Sequence, residues 1–222
     1  MRKLFIDTAN LEDIIDAFEL GVLSGVTTNP SLLAKEPKTD FYQHIKNIVE
    51  ICKINSNAPL SVEVFATQPE EIKRQAYNLV DKFNYDNLNI KIPIGHSELK
   101  VIKELADNGV NINCTCCFTS TQMQLAALSG SRYVSLFYNR LIDANGNPTT
   151  VLKQVRDFID SNSLNCEIIA GSIRNSEDVS SAWYAGCDIV TASHKIISSM
   201  SKHESTDKSV AQFLNDFESW IS

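Results

Sequence analysis

Short runs in which apolar and polar residues alternate recur along the chain. Each is followed by a longer stretch with apolar residues three and four positions apart. A period of two places successive side chains on opposite faces of a strand, whereas a spacing of three to four marks one face of a helix. Strands are accordingly predicted at 3–7, 25–28, 60–65, 88–92, 110–115, 133–137, 166–171 and 188–191. Helices are predicted near 10–20, 40–54, 69–83, 96–107, 119–129, 149–161, 175–185 and 193–200, with a last one at about 207–221. Eight strands, each followed by a helix, predict an α/β fold: a single (β/α)8 TIM barrel over 1–222 with an additional C-terminal helix. The alternative is an open, doubly wound sheet. No GxGxxG or GxxxxGK[ST] follows an early strand, which disfavours its nucleotide-binding versions.

The polar residues within the strands share one parity. Asp7 alternates with Leu4 and Ile6, Glu63 with Val62 and Val64, and Lys91 with Ile90 and Ile92. Asn113 and Thr115 alternate with Ile112, Cys114 and Cys116, while Ser61, Phe65, Ser135 and Phe137 fall on the polar side of their strands. Helices cover the outside of a barrel, so the apolar parity faces them and the polar parity faces inward. These polar residues lie toward the C-terminal ends of their strands, where barrels carry their chemistry.

Lys91 is the most informative of them. An ammonium in a buried strand has to be paired or neutralised, and a desolvated amine is a nucleophile toward carbonyls. Schiff-base chemistry follows as an expectation, with Asp7 and Glu63 available to move protons. A purely structural ion pair of Lys91 with Glu63 or Asp7 is the alternative. The segment Gly25-Val26-Thr27-Thr28-Asn29-Pro30-Ser31 adds hydroxyls and an amide at the same end. Arg140 and Arg174 fall just past two late strands, Arg174 close to Ser172. Guanidinium forks there suit a phosphate, which barrels often bind in their late loops.

Composition narrows the partners. A net charge of −7 over 222 residues argues against a general nucleic-acid or membrane-surface binder. The N-terminal residues lack the apolar run of an export signal, and no stretch is long enough for a membrane span, so a cytoplasmic location is expected. Six scattered cysteines are then expected to stay reduced. The group Cys114, Cys116 and Cys117 lacks the paired spacing of a zinc site and reads as small packing residues. His44, His96, His194 and His203 show no spaced ligand pair, so no metal is expected. In the last helix Val210, Phe213, Leu214, Phe217, Trp220 and Ile221 form a wide apolar face. It packs either on its own barrel or on a neighbouring subunit.

The landmarks Phe5-Ile-Asp7-Thr-Ala-Asn10, Gly25-Val-Thr-Thr-Asn-Pro-Ser31, Val62-Glu63-Val64, Ile90-Lys91-Ile92-Pro93, Asn113-Cys-Thr115, Ser135-Leu-Phe137-Tyr-Asn-Arg140 and Ala170-Gly-Ser172-Ile-Arg174 occur in this order on successive strands. In that arrangement the chain resembles the small-subunit transaldolases, in the family that also holds fructose-6-phosphate aldolases. The resemblance implies a (β/α)8 barrel and aldol transfer through a lysine Schiff base, without metal or cofactor. It implies Lys91 as the Schiff-base lysine, Asp7 as general acid/base, and Glu63 as an acid working through a water with Thr115 nearby. Thr27, Asn29, Asn113, Ser135, Phe137, Arg140, Ser172 and Arg174 are implied to hold the sugar phosphate. It also implies a homodecamer (or homopentamer) in which the C-terminal helix reaches a neighbour. Glu63 and Phe137 resemble the transaldolase branch, since aldolase-type members carry Gln and Tyr there. Leu136, Asn139 and the stretch Thr191-Ala192-Ser193 depart from the commonest transaldolase pattern.

Overall fold

The computed structural model describes residues 1–221. Eight parallel strands close into a barrel in sequence order. They are β1 (Lys3–Asp7), β2 (Val26–Thr27), β3 (Leu60–Glu63), β4 (Leu88–Pro93), β5 (Ile112–Cys117), β6 (Tyr133–Phe137), β7 (Glu167–Gly171) and β8 (Ile189–Ala192). Closure comes from β1 beside β8, with Lys3 opposite Ile189 and Phe5 opposite Thr191.

Between and after the strands run α1 (Leu11–Glu19), α2 (Pro30–Leu33), α3 (Phe41–Ile54), α4 (Pro69–Phe83), α5 (His96–Asp107), α6 (Ser120–Leu128), α7 (Tyr138–Asp143), α8 (Pro148–Ser161), α9 (Ser176–Tyr184), α10 (His194–Ser199) and α11 (Glu204–Ile221). Local chemistry sets several of their starts. Asn10, Asp40, Thr119, Asn147 and Asn175 each accept a hydrogen bond from a first-turn backbone N–H. Pro69 and Pro148 open α4 and α8, where a missing N–H loses nothing.

The alternation read from the sequence divides the barrel as expected. Leu4, Ile6, Val62, Ile90, Ile92, Ile112, Val134, Ile168 and Val190 are buried between strands and helices. Inside, Phe5, Tyr133, Ile169 and Ile189 form a separate apolar cluster, with Phe5 and Tyr133 edge to face at 6.3 Å. This plug leaves the C-terminal end of the barrel interior for polar side chains.

The structure corrects the sequence reading in three places. Strand β3 ends at Glu63, so Phe65 lies beyond it, half exposed and 5.2 Å from Phe41. Strand β5 continues to Cys117 through a register shift after Cys114, which reverses the parity expected for Cys116. Two short helices, α2 and α7, replace what read as loop. Of the two packings left open for the last helix, the first is absent: α11 has no buried residue, and Val210, Phe213, Leu214, Phe217, Trp220 and Ile221 are all exposed, so its apolar face does not pack on its own barrel.

Ile90 is fully buried on the outer wall of β4. Ile90→Ala is expected to destabilise the fold by about 2–5 kcal/mol, read from urea unfolding. A change within ~0.5 kcal/mol would show that the helices do not pack on this wall.

Candidate active site

Strand register builds the site. Residues opposite one another on neighbouring strands point to the same face. Glu63 is opposite Lys91, and Lys91 opposite Asn113, which makes one inward row. One layer deeper, Asp7 is opposite Thr27, Thr27 opposite Ser61 and Ser61 opposite Asn89. The rows enclose a cavity of about 280 Å³ lined by Asp7, Thr27, Asn29, Glu63, Lys91, Asn113, Thr115, Cys116, Ser135, Phe137, Arg140, Ser172 and Thr191, among others. Eleven of the twelve site residues expected from the sequence are thus brought together.

Arg174 is the one not brought to the cavity. Its guanidinium makes a two-pronged ion pair with Asp143 at the end of α7, with both side chains about half exposed. Neighbouring polar contacts hold the loop in that shape. Asp178 accepts from the backbone N–H of Arg174 at 3.0 Å and from the Asn139 amide at 2.6 Å. Asn139 also donates to the Ser172 carbonyl at 2.9 Å, and Ser172 faces the cavity in the left-handed region at φ +61°.

Lys91 is 6 % exposed. Its Nζ donates to the Thr28 carbonyl at 2.8 Å and lies 3.2 Å from Glu63 Oε2. The expected ion pair with Glu63 therefore exists, but it opens onto a cavity instead of being packed over. Asp7 accepts from Thr27 Oγ1 at 2.7 Å, and Thr27 Oγ1 lies 2.6 Å from Thr191 Oγ1. Burial pushes the Asp7 carboxyl above its ordinary range and Glu63 adds to this, while Lys91, the Thr27 hydrogen bond and Lys35 pull the other way. A buried carboxylate of raised basicity is suited to taking a proton.

The remaining groups form the walls. Ser135 donates to Asn113 Oδ1 at 2.6 Å and Asn113 donates to Ser61 Oγ at 3.0 Å, which fixes the amide orientation. Asn29 caps α2 by accepting from the Leu32 N–H at 3.1 Å, which anchors its side chain at the cavity rim. Arg140 lies over the Phe137 ring at 4.6 Å from its centroid. Thr115 is buried at the cavity wall.

Among the polar and thiol side chains that line the cavity, two escaped the sequence reading. Cys116 enters the cavity through the β5 bulge, at φ +59°, and nothing in its alternating surroundings marks a bulge. Thr191 shares the parity of Ile189, which belongs to the interior plug, so alternation along β8 carried the signal.

Asp7 also makes the site a cost to the fold. A carboxyl whose folded pKa is raised holds more protons folded than unfolded between the two values, so stability falls as pH rises through the folded value. Asp7→Asn is therefore expected to unfold at a higher temperature than the wild type at pH 7, with the gap narrowing as pH falls. Thermal melts across that range check it, and a lower midpoint at pH 7 would reverse the sign.

Comparisons with known proteins agree with this geometry. The family model described as transaldolase/fructose-6-phosphate aldolase matches residues 4–221. A probable transaldolase of Alkaliphilus metalliredigens is 38% identical over 219 residues, 99% of each chain. One of Clostridioides difficile is 40% identical over 216 residues, 97% of each chain, and one of Clostridium botulinum strain Langeland is 42% identical over 217, covering 97% of this chain and 96% of that one. Among solved structures, a thiamine phosphate pyrophosphorylase from Pyrococcus furiosus superposes with a TM-score of 0.63 at 15% identity, covering 89% of this chain and 93% of that chain. At that identity the likeness shows the barrel alone. With the family model spanning nearly every described residue, the chain belongs to the transaldolase/fructose-6-phosphate aldolase family.

Proposed function

We propose that the protein is a class I transaldolase. It moves a dihydroxyacetone unit from a ketose phosphate, such as fructose 6-phosphate or sedoheptulose 7-phosphate, to an aldose phosphate, as in the non-oxidative pentose phosphate pathway. The observation that carries this reading is the Lys91 amine, buried between Glu63 and the Thr28 carbonyl at the wall of a cavity that also holds Asp7. To attack a carbonyl, the ammonium first passes a proton to the Glu63 carboxylate 3.2 Å away, and the neutral amine so formed offers its lone pair.

In this scheme Lys91 adds to C2 of the ketose, the proton lost from nitrogen passes to the C2 oxygen, and Glu63 supplies a second proton through a water, so that water leaves and the protonated imine forms. The ionised Asp7 removes the proton from the C4 hydroxyl. The C3–C4 bond breaks, its electron pair moves toward the iminium nitrogen as an enamine forms, and an aldose phosphate departs. The enamine carbon then attacks the incoming aldose phosphate, Asp7 returns its proton to the new hydroxyl, and water releases the product from Lys91. Asn29, Asn113 and Ser135 offer hydrogen bonds to the donor unit, while Arg140 and Ser172 face the phosphate. The order of events is ping-pong.

The family also contains lyases that release free dihydroxyacetone. Glu63 supports the transferase reading, because a carboxylic acid passes protons to and from water where an amide cannot. The six reduced thiols suit the cytoplasm. The uncovered apolar face of α11 suits a second copy of the chain, as a homodecamer or homopentamer would provide.

Borohydride added with fructose 6-phosphate is expected to leave one dihydroxyacetone-sized adduct, mapped to Lys91, and Lys91→Ala should lose both adduct and turnover while keeping its fold. An active Lys91→Ala would remove the amine from the reaction. Glu63→Gln is expected to raise release of free dihydroxyacetone relative to transfer onto erythrose 4-phosphate, measured with and without that acceptor. An unchanged ratio would make Glu63 a structural partner of Lys91.

A further inference from the structure

Behind Asp7 the barrel wall holds a second hydroxyl that the scheme above does not use. Thr191 Oγ1 lies 2.6 Å from Thr27 Oγ1, which in turn donates to Asp7 Oδ1 at 2.7 Å. A hydroxyl has one proton. When Asp7 is ionised, the Thr27 proton is committed to its carboxylate, so the proton between the two threonines must come from Thr191. The donors therefore run one way, from Thr191 to Thr27 to Asp7. Thr27 and Thr191 are both buried at the cavity wall.

The surrounding packing holds this chain in place. Thr191 lies on β8 opposite Phe5, while Thr27 lies on β2 opposite Asp7, so the two threonines meet across the interior from either side of β1. Gly171 faces Thr191 from β7: a methyl built there would lie 3.5 Å from Thr191 Cγ2. A β-branched side chain seated in this way has few rotamers open to it.

We propose that Thr191 is a positioning residue for the aldol step: by donating to Thr27 it commits the Thr27 proton to one oxygen of Asp7 and leaves the other oxygen to exchange protons with the substrate. Hydrogen bonds in series polarise one another, so the Thr191 donor also strengthens the bond from Thr27 to the carboxylate. The charged groups that act on Asp7 from neighbouring elements are Lys91 on β4, Glu63 on β3 and Lys35 beyond α2. The substitution below removes none of them. The proposal rests on the Schiff-base reading, since it assigns Asp7 the proton of the C4 hydroxyl.

Thr191→Val keeps the shape and removes the donor, whereas Thr191→Ser keeps the donor and removes the methyl. In Thr191→Val, kcat for transfer from fructose 6-phosphate to erythrose 4-phosphate is expected to fall about tenfold, the rate equivalent of one neutral hydrogen bond, with KM little changed. The acidic limb of its kcat–pH profile should move to higher pH, because a weaker bond from Thr27 stabilises ionised Asp7 less. Thr191→Ser should restore both, and borohydride should still trap the Lys91 adduct in all three proteins. A Thr191→Val protein that traps the adduct with wild-type kcat and an unmoved acidic limb overturns the proposal alone. So does a lowered kcat with an unmoved limb that Ser fails to rescue, since that is the signature of a packing role. A wild type that traps no adduct overturns the Schiff-base reading and the proposal with it.

Discussion

A lysine amine and a glutamate carboxylate, 3.2 Å apart inside a closed sheet, set the terms for the rest of the structure. Two charges of this kind are expensive to take out of water, and their mutual attraction offsets the expense only with good geometry and further hydrogen bonds. The barrel supplies both. The register that places Glu63 opposite Lys91 also places Asn113 beside them, and the Thr28 carbonyl accepts from the amine. A slip of one residue in β4 would turn Lys91 into the helix layer and Ile90 into the cavity. The same alternation that fills the outer wall with Ile90 and Ile92 therefore aims the amine inward.

The interior of the barrel is divided along its axis. Phe5, Tyr133, Ile169 and Ile189 pack the N-terminal part, and charged and amide side chains line the C-terminal part. Strand β1 shows the division most directly, since Phe5 belongs to the plug and Asp7, two residues on, to the cavity. The plug supplies stability that the mouth gives up. Asp7 is held ionisable where burial opposes its charge, and Cys116 and Ser172 adopt left-handed backbone conformations that cost non-glycine residues energy. The desolvated carboxyl of Asp7 lies at this polar end of the interior, where burial works against its charge.

Outside the cavity, polar contacts decide which groups can reach it. The Asn139 amide ties the start of α7 to Asp178 on α9 and to the Ser172 carbonyl in the loop after β7, which holds Ser172 at the rim, while Asp143 engages Arg174 away from it. In the sequence, Arg140 and Arg174 stand in equivalent positions just past their strands. The structure separates them: one stacks on Phe137 at the cavity and the other pairs with a carboxylate outside. Nothing in the spacing of Asp143 announces that pairing, because the two residues are 31 positions apart and meet only when neighbouring loops are folded.

Strand parity alone was enough to place Asp7, Glu63, Lys91, Asn113, Thr115 and Ser135 on one inward face, and the succession of strands and amphipathic segments was enough to predict the eight-fold barrel. Both signals are local: burial acts on each strand with a period of two and on each helix with a period near 3.6. What depended on contacts between distant segments was legible only in three dimensions. The bulge that turns Cys116 into the cavity, the Thr191–Thr27 contact across β1, the capture of Arg174 by Asp143 and the failure of α11 to cover its own barrel all belong to that class. Periodicity tells which way a side chain points from its own strand. It does not tell which partner from elsewhere in the chain will be there to meet it.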